Sequence, residues 1–478
     1  MDYLLVVWIV FGAIGGFFFL LLFHYIVFTV IGIFKKKTFP KTEEKRRYGI
    51  LIGARNEEAV IGRLLDSIRA NDYPADKVRV FVVAHNCTDR TAEIARSKGA
   101  TVYEYNNPAE RVVGCAYRHF AERINAEGGL SELDGIIVIN ADNVLAPDYI
   151  SRMNDAFVAT GGEKVITSYR NSENFGRNYM TCLYGIFFIA ACRYESRGRT
   201  VCNCSTRVSG TGFLFRADLI KEGWNYVSLT EDWEFSADRI SRGMKVFYCD
   251  DAQLYDEQPK TIRLMLRQRL RWARGHTVVF FTRIKQLARS FFRPKKKGGP
   301  ENKFSIFDIS MSLMPLGVMG VVLGLAQAVC VAVAPLVGVS ASFAWWLYGV
   351  WAGAMFGISY LLTVISAVLL VILERKRIPK IRFGVMLAAV LLWPFFVALN
   401  VVLDVISFFT KKLEWKPIPH GEAAEAKPAK KAAPQAKKAA AAADGARPQA
   451  EAAKKGRPQP AEDNSRAPRE QSAAQEAE

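Results

Sequence analysis

The chain has 478 residues, half of them hydrophobic, and carries 64 basic against 46 acidic side chains for a formal net charge of +18. Its mean hydropathy is +0.07. These values exclude a soluble acidic enzyme, a disulfide-rich scaffold, a collagen and a wholly disordered chain. Apolar and basic residues together indicate a membrane protein with a large cytoplasmic part.

The first predicted element is a membrane anchor, residues 1–34. Tyr3–Phe34 is an almost unbroken apolar run, longer than the roughly 20 residues that cross a bilayer. The basic cluster Lys35–Lys37 follows this run, whereas a cleaved signal peptide carries its positive charge in front. We therefore expect a retained anchor with its N-terminus outside the cell. A buried core helix is the alternative.

Strands and helices alternate in the next part of the chain, residues 45–300. The predicted strands are Tyr48–Gly53, Val78–Ala84, Gly99–Tyr105 and Gly135–Asn140. The predicted helices between them are Glu57–Ala70 and Thr88–Lys98. This alternation indicates an α/β fold with a doubly wound, mostly parallel sheet, to which α-helical transmembrane segments are joined.

Polar side chains follow three of the predicted strands. The sequence reads Gly-Ala-Arg-Asn-Glu at 53–57, His-Asn-Cys-Thr-Asp at 85–89 and Asn-Ala-Asp-Asn at 140–143. Ligands of open parallel sheets bind at the carboxyl ends of the strands, so we expect a site where these segments meet. Asp142 is well placed there to hold Mg²⁺ or Mn²⁺. A turn-forming Asp with a local hydrogen bond is the alternative.

An acid pair precedes the predicted helix Trp233–Arg242. The segment reads Thr230-Glu231-Asp232, and a carboxylate at the mouth of the sheet suits a general base. A helix start with a Thr cap and acidic first turn explains the same residues. The segment alone leaves both interpretations open.

Three further candidates share one face of the predicted helix Thr261–Val278. Gln268, Arg271 and Trp272 lie at positions i, i+3 and i+4, which are neighbours on a helix surface. A guanidinium matches phosphate oxygens and an indole offers a sugar ring a flat apolar surface. A basic helix that lies on lipid is the alternative.

Three more apolar stretches lie in residues 304–410, which we expect to form about three to four membrane segments. The stretches are Phe304–Val339, Phe343–Leu373 and Phe383–Phe409. Either Pro394 splits the last stretch into a re-entrant or interfacial pair, or the positive-inside rule fails here, and we favour a cytoplasmic end. Basic clusters beside the stretches indicate membrane lipid and not nucleic acid. The prediction is a multi-pass protein of the plasma membrane.

The chain after the last apolar stretch has two predicted parts. Residues 421–478 are rich in Ala, Lys and Pro and are expected to be disordered. The segment Trp415–His420 lies between this tail and the membrane region. We hypothesise that it folds back over the site at the strand ends; a simple exit linker is the alternative.

Six motifs now stand in order along the chain. The three strand-end segments are followed by Ser-Gly-Thr-Gly at 209–212, Thr-Glu-Asp at 230–232 and Gln-x-x-Arg-Trp at 268–272. In this order they resemble the family 2 glycosyltransferases with a GT-A fold. The closer resemblance is to the membrane-integrated group that includes cellulose, hyaluronan and poly-N-acetylglucosamine synthases and ceramide glucosyltransferase. It covers residues 48–275.

On the donor side, the resemblance implies that the nucleotide pocket is lined by Ala54, Arg55, Glu57, His85 and Asn140. Asp142 would hold Mg²⁺ or Mn²⁺ on the diphosphate of a nucleotide sugar, with UDP as the expected nucleotide. Gln268 and Arg271 would hold the same diphosphate. Three residues depart from the pattern of the family on this side: His85 and Asn140 each replace an Asp, and Cys115 replaces a Lys.

On the acceptor side, the resemblance implies a wall shaped by Gly210, Thr211, Gly212 and Trp272. Asp232 would be the general base, with Glu231 beside it, for a displacement that inverts the anomeric centre. A growing polysaccharide is the expected acceptor. One sugar added to a lipid and a catalytically silent subunit are the alternatives. About four or five crossings leave room for an accessory subunit or a homo-oligomer.

Overall fold

The computed structural model describes residues 2–410. The predicted tail, 421–478, and the proposed lid, Trp415–His420, lie outside the described residues. The strands are β1 (Tyr48–Ala54), β2 (Val78–His85), β3 (Thr101–Tyr105), β4 (Gly135–Val138), β5 (Asn143–Leu145), β6 (Val165–Ser172), β7 (Phe213–Arg216) and β8 (Val246–Asp256).

The eight strands form one sheet in the order β3-β2-β1-β4-β7-β6-β8-β5. Pairs β1–β2, β2–β3, β1–β4 and β6–β8 are parallel. Strands β5 and β7 run antiparallel to their neighbours. The predicted α/β class with a mostly parallel sheet is confirmed.

Helices cover both faces of the sheet and extend beyond it. They are α1 (Asp2–Phe34), α2 (Ile61–Arg69), α3 (Thr91–Ser97), α4 (Val113–Ala126), α5 (Tyr149–Ala159), α6 (Tyr179–Ala190), α7 (Gly198–Val201), α8 (Glu231–Ser241), α9 (Ile262–Phe292), α10 (Lys303–Leu313), α11 (Leu316–Val333), α12 (Ala341–Leu373) and α13 (Phe383–Phe409). A π-helical segment, Ala191–Arg197, joins α6 to α7.

The central strands are apolar on both sides because both faces of the sheet are covered. Leu51 packs in the cluster that contains residues of α4 and α8. Its neighbours Ile50 and Ile52 pack in the opposite cluster, with residues of α2 and α5. All three are at most 1% exposed. A parallel sheet buried in this way keeps only its strand ends open to ligands.

The first two predicted helices begin later than expected. Helix α2 starts at Ile61 because the chain first makes a turn, in which the carbonyl of Glu57 accepts from the N–H groups of Val60 and Ile61. The N–H of Glu57 is taken by the Thr91 hydroxyl, at 2.8 Å. This bond draws the turn after β1 towards the start of α3, so two strand ends are tied together.

Four helices are long and apolar enough to cross a membrane: Tyr3–Phe34, Leu316–Val337, Ala341–Leu373 and Phe383–Phe409. The first predicted C-terminal stretch, Phe304–Val339, forms two helices, α10 and α11. Helix α10 ends before Pro315 and packs against the core of the sheet through Ile306 and Ile309. Of the two alternatives for the last stretch, the split at Pro394 is not found, because α13 runs through this residue without a break. Membrane helices tolerate proline where neighbouring segments satisfy the freed backbone groups.

Helix α1 crosses the π-helical segment and α7 at unusually short range. A Cβ placed on Gly32 would lie 2.4 Å from the Arg193 carbonyl oxygen, and one on Gly198 would lie 2.0 Å from the Phe28 carbonyl oxygen. Both backbones therefore touch where no side chain fits. The first apolar helix is packed directly against the segment that leads into the sheet.

A buried ion pair fixes the same junction to α10. Arg199 Nε lies 2.7 Å from Asp308 Oδ2, and Arg199 Nη2 lies 2.9 Å from Asp308 Oδ1. The two side chains are 3% and 4% exposed. His24 Nε2 lies 3.0 Å from the same carboxylate, so helices α1, α7 and α10 meet at one buried acid.

Candidate active site

A single cavity opens at the carboxyl ends of β1, β2, β4 and β6. Twelve of the predicted site residues line it: Ala54, Arg55, Glu57, His85, Asn140, Asp142, Gly210, Glu231, Asp232, Gln268, Arg271 and Trp272. Thr211 and Gly212 do not belong to this lining. The motifs that lie far apart in sequence therefore meet at one edge of the sheet.

Thr211 lies behind the wall and joins two of its segments. Its hydroxyl accepts from the N–H of Asn140 at 2.9 Å and donates to Asn143 Oδ1 at 2.6 Å. Gly212 adopts a φ of +67°, and a Cβ there would lie 2.3 Å from Leu254 Cδ2. Both residues hold the Ser-Gly-Thr-Gly segment against the turn that carries Asp142.

Asp142 and Asn140 provide oxygen atoms at the centre of the cavity. Asp142 is 9% exposed, and Asn143 Nδ2 donates to its Oδ1 at 3.3 Å and to Asp256 Oδ1 at 2.8 Å. Within residues 2–410 no group of three or more His, Cys, Asp and Glu side chains could hold a metal alone. Mg²⁺ commonly takes one or two carboxylates and completes its shell with substrate phosphates. The donor set fits this mode.

His85 lies at the nucleotide end and is held in one tautomer. Its Nε2 lies 2.8 Å from the Glu110 carbonyl oxygen, and because a carbonyl only accepts, Nε2 carries the hydrogen. Burial lowers the pKa of His85, so the ring is neutral and Nδ1 is an acceptor. The ring stacks on Tyr105, with centroids 5.4 Å apart.

Cys115 lies beneath this end of the cavity and not on its wall. The side chain is 5% exposed, and burial raises the pKa of its thiol to about 11. The thiol is therefore neutral at physiological pH. Arg55 and Arg111 are the basic residues that line this end of the cavity.

The acid pair begins α8 and faces the cavity. A Cβ on Gly210 would lie 3.8 Å from Asp232 Oδ2, which places this carboxylate beside the Ser-Gly-Thr-Gly segment. Burial, and then the charge of Asp232, raises the pKa of Glu231 to about 8. Burial also raises the pKa of Asp232, although the N–H of Trp233 and the guanidinium of Arg271 oppose the shift. Thr230 is the N-cap, but its side chain makes no capping hydrogen bond.

Replacing Glu231 by Gln is expected to change how stability depends on pH. The folded protein keeps the Glu231 proton up to about pH 8, whereas the unfolded chain releases it near pH ~4.3. The unfolded chain therefore binds fewer protons between these values, and the free energy of unfolding falls as pH rises through them. In micelles without nucleotide, the apparent Tm of the wild type should fall more from pH 5 to 8 than that of Glu231→Gln. Equal slopes would contradict this.

Helix α9 presents its predicted face to the same cavity. Arg271 Nη1 donates to the Leu229 carbonyl at 2.9 Å, which holds the guanidinium against the segment before the acid pair. Gln268 Oε1 is buried and has no hydrogen-bond partner within residues 2–410. Trp272 stacks on Phe187, with centroids 6.2 Å apart and planes at 15°.

Further residues on the cavity wall escape the motif analysis, among them Arg170, Phe188, Arg207, Trp233 and His276. Arg170 follows the apolar start of β6, its Nε donates to Asp256 Oδ2 at 2.8 Å, and its Nη1 donates to the Ser209 carbonyl at 2.9 Å. Its guanidinium also lies 3.8 Å from the Phe188 ring centroid. Recognising β6 as a fifth parallel strand would have found it, since its carboxyl end lies at the same edge.

The comparisons with known proteins agree with this geometry. Residues 46–275 match the model of the family described as glycosyltransferase like family 2. The chain is 28% identical over 287 residues to the probable glycosyltransferase YdaM of Bacillus subtilis, covering 57% of this chain and 64% of that protein. It is 27% identical over 236 residues to the β-monoglucosyldiacylglycerol synthase of Synechocystis, covering 47% of each. The chain thus spans about half to two thirds of the length of these relatives.

A solved structure shares the fold. It is the mannosyltransferase PcManGT from Pyrobaculum calidifontis in complex with GDP-Man and Mn²⁺, with a TM-score of 0.53 and 16% identity. The match covers 78% of this chain and 97% of that one. With the family match, the sheet order and the convergence of the motifs at one cavity, residues 46–275 form a family 2 glycosyltransferase domain with a GT-A-like fold.

Proposed function

We propose that the protein transfers a sugar from a nucleotide sugar to an acceptor hydroxyl with inversion at the anomeric carbon, Asp232 being the general base. The observation that carries this proposal is the cavity itself. Asp232 opens onto the same space as Asp142 and Arg271, so a base, a metal-binding carboxylate and a cation for the leaving group lie around one reacting centre. A catalytically silent subunit would have no need of all three.

The donor is held at the strand ends in this proposal. Ala54, Arg55 and Glu57 contact the nucleoside, and the neutral His85 accepts a hydrogen bond at Nδ1 from an N–H of the base. The Asp that His85 replaces would also accept a hydrogen bond from such an N–H. The replacement is therefore compatible with the same nucleobase contact, and UDP stays the proposed nucleotide. Asp142 and Asn140 would hold Mg²⁺ or Mn²⁺, which when bound neutralises charge on the diphosphate.

The reaction then needs one proton transfer and one displacement. Asp232 takes the proton from the acceptor hydroxyl, and its raised pKa makes it a stronger base than an ordinary Asp. The anomeric carbon gains oxocarbenium character as the diphosphate leaves, and Arg271 and Gln268 stabilise the departing oxygen atoms. Glu231 keeps its proton at neutral pH and leaves Asp232 the only ionised member of the pair.

The acceptor side supports a lipid acceptor over the growing polysaccharide expected from the sequence. Trp272, Phe187 and Phe188 form an aromatic wall of the cavity. Phe396 of the membrane-length helix α13 continues this wall, with its ring 6.2 Å from Phe187. An aromatic cavity wall that packs directly against a membrane-length helix suits a hydroxyl carried on a lipid. The Synechocystis relative is, by its name, a synthase of a monoglucosyldiacylglycerol, which is a glycolipid.

Reconstituted vesicles test the proposed function directly. The full chain is supplied with Mn²⁺ or Mg²⁺, diacylglycerol and a panel of UDP- and GDP-sugars, and product is followed by incorporation into extractable lipid and by size. Glycolipid formed with one donor supports the proposal, and a long polymer would restore the polysaccharide acceptor. Absence of turnover with every donor, in vesicles that contain folded protein, would overturn it. We also propose that the catalytic domain lies on the cytoplasmic side of the membrane. Protease access to this domain in membrane vesicles of known orientation tests that placement.

Chelation should abolish this activity, and Asp142→Asn should weaken its recovery. After EDTA treatment, Mn²⁺ or Mg²⁺ is expected to restore wild-type turnover. Asp142→Asn should raise the half-saturating metal concentration by at least about 10-fold. Substitution of residues that only hydrogen-bond to a metal ligand already weakens metal binding by that factor. Asp148→Asn, a nearby acid outside the cavity lining, is the matched control. A metal response of Asp142→Asn equal to that of the wild type would contradict the assignment.

A further inference from the structure

The face of α9 that lines the cavity extends one turn beyond the predicted motif. Gln268, Trp272 and His276 lie at i, i+4 and i+8, and all three line the cavity. Gly275 makes this extension possible, because a Cβ there would lie 2.4 Å from Thr230 Cγ2. The turn of α9 that carries His276 is thereby packed against the residue that precedes the acid pair.

His276 packs on the residue that follows the proposed base. Its ring centroid lies 4.2 Å from that of Trp233, with the planes at 54°. Trp233 is also covered by the guanidinium of Arg207, 4.4 Å from the ring centroid, and Arg207 is paired with Glu195. An imidazole and an indole therefore form a wall that starts one residue from Asp232.

The imidazole is uncharged at physiological pH. Burial, followed by the charges of Arg207 and Arg271, lowers the pKa of His276 to about 3. A neutral imidazole has one N–H donor and one acceptor nitrogen. Within residues 2–410 neither nitrogen hydrogen-bonds to another residue, although the ring lines the cavity. Packing against Trp233 explains the position of the His276 ring. It does not provide a hydrogen-bond partner for the two ring nitrogens.

We propose that His276 is an acceptor-positioning residue, which hydrogen-bonds an uncharged hydroxyl-bearing lipid headgroup while Trp233 covers the apolar face of that group. This arrangement holds the nucleophilic hydroxyl beside Asp232. A neutral headgroup fits because Arg207, the cation that covers Trp233, is already paired with Glu195. The inference rests on the proposed function and names the part of the cavity that recognises the acceptor.

Two substitutions separate hydrogen bonding from packing. His276→Phe keeps an aromatic ring against Trp233 and removes both nitrogens, whereas His276→Gln keeps a neutral donor and acceptor. Thr282→Ala, on the exposed side of α9 and outside the cavity lining, is the matched control. Each full-length protein is reconstituted in phosphatidylcholine vesicles with diacylglycerol as the acceptor and the nucleotide sugar that the donor panel identifies.

The expected result is a selective loss of acceptor recognition. His276→Phe should raise the apparent KM for diacylglycerol by about 10-fold, the cost of losing a hydrogen bond to a buried group. The KM for the donor and the rate of donor hydrolysis without acceptor should stay at wild-type values, as they do in Thr282→Ala. His276→Gln should recover most of the loss, which a residue needed only for packing would not allow.

Each of the other possible results contradicts one part of the proposal. An unchanged KM for diacylglycerol in His276→Phe overturns the positioning role, as does an equal loss of donor affinity, which would mark a structural residue. A wild-type protein that hydrolyses the donor but leaves diacylglycerol unmodified overturns the acceptor class. A wild-type protein that neither hydrolyses nor transfers any donor overturns the proposed function itself.

Discussion

Asp232→Asn is expected to lower kcat by about 10²- to 10⁴-fold, the range that a positioned general base contributes. The amide has nearly the shape of the carboxylate but cannot take the proton of the acceptor hydroxyl. Since the proposed mechanism uses Asp232 on the acceptor side and not at the nucleotide end, the affinity for the nucleotide sugar should change little. Initial rates in vesicles and donor binding by the same protein measure the two quantities separately.

The control for this substitution is Glu234→Gln on the same helix. Glu234 pairs with Arg283 and lies outside the cavity lining, so its loss should leave kcat near the wild-type value. The pH profile adds a second readout. Burial raises the pKa of Asp232. As the pH is lowered, wild-type activity should therefore begin to fall at a pH above the ordinary pKa range of an Asp side chain. Wild-type kcat in Asp232→Asn would remove this residue from the mechanism.

Asp308→Asn is expected to destabilise the protein by about 3–5 kcal/mol, the cost of removing one partner of a buried ion pair. The substitution leaves the Arg199 guanidinium charged and buried. It also leaves one amide oxygen in place of the two carboxylate oxygens that Arg199 and His24 Nε2 share. Thermal unfolding in detergent micelles should show a clearly lower Tm. Exposed ion pairs contribute far less, so Asp218→Asn, which breaks the exposed pair with Arg216, is the matched comparison.

A double substitution distinguishes lost attraction from a stranded charge. Arg199→Met combined with Asp308→Leu removes both charges, and such apolar replacements of buried pairs are often neutral or stabilising. The double variant should therefore recover most of the Tm lost in Asp308→Asn. A double variant that is less stable than the single one would show that the attraction itself dominates.

The location of the site followed from the sequence because strand ends are easy to recognise. Asp142 follows an apolar run directly, and the turns after β1 and β2 carry Asn56 and Asn86 at positive φ, a conformation that Asn adopts more readily than most residues. All such ends of parallel strands meet at one edge. The sequence alone therefore predicts that the polar residues at 55–57, 85, 140 and 142 meet at this edge.

The wall that His276 and Trp233 form could not be derived from the sequence in the same way. His276 reads in sequence as one more residue of a basic helix, and its contact with Trp233 depends on how closely α9 approaches α8 at Gly275. Thr211 looked equivalent to its neighbours in the Ser-Gly-Thr-Gly segment. Its hydrogen bonds to Asn140 and Asn143, which set it behind the wall, arise from tertiary packing. Local pattern does not encode which face of a loop meets a cavity.

The path of the last apolar stretch could not be read from its charges. A split at Pro394 was the alternative that keeps the basic end of the stretch in the cytoplasm. In α13 the helix continues through it, and Pro394 is buried in the described structure. By contrast, the break before Pro315 escaped notice because α10 and α11 are both apolar. Hydropathy measures solubility in lipid, but not where a helix changes direction.

The contact between Gly198 and the Phe28 carbonyl has a consequence for how this protein can be truncated. Backbone that touches backbone leaves a bare groove when one partner is deleted, and water cannot fill it as a side chain would. A fragment cut at residue 45 would thus expose the backbone of Arg193 and Gly198, which α1 covers in the full chain. The first apolar helix is therefore packed into the same body as the sheet, and a chain cut behind it exposes backbone that the full chain covers.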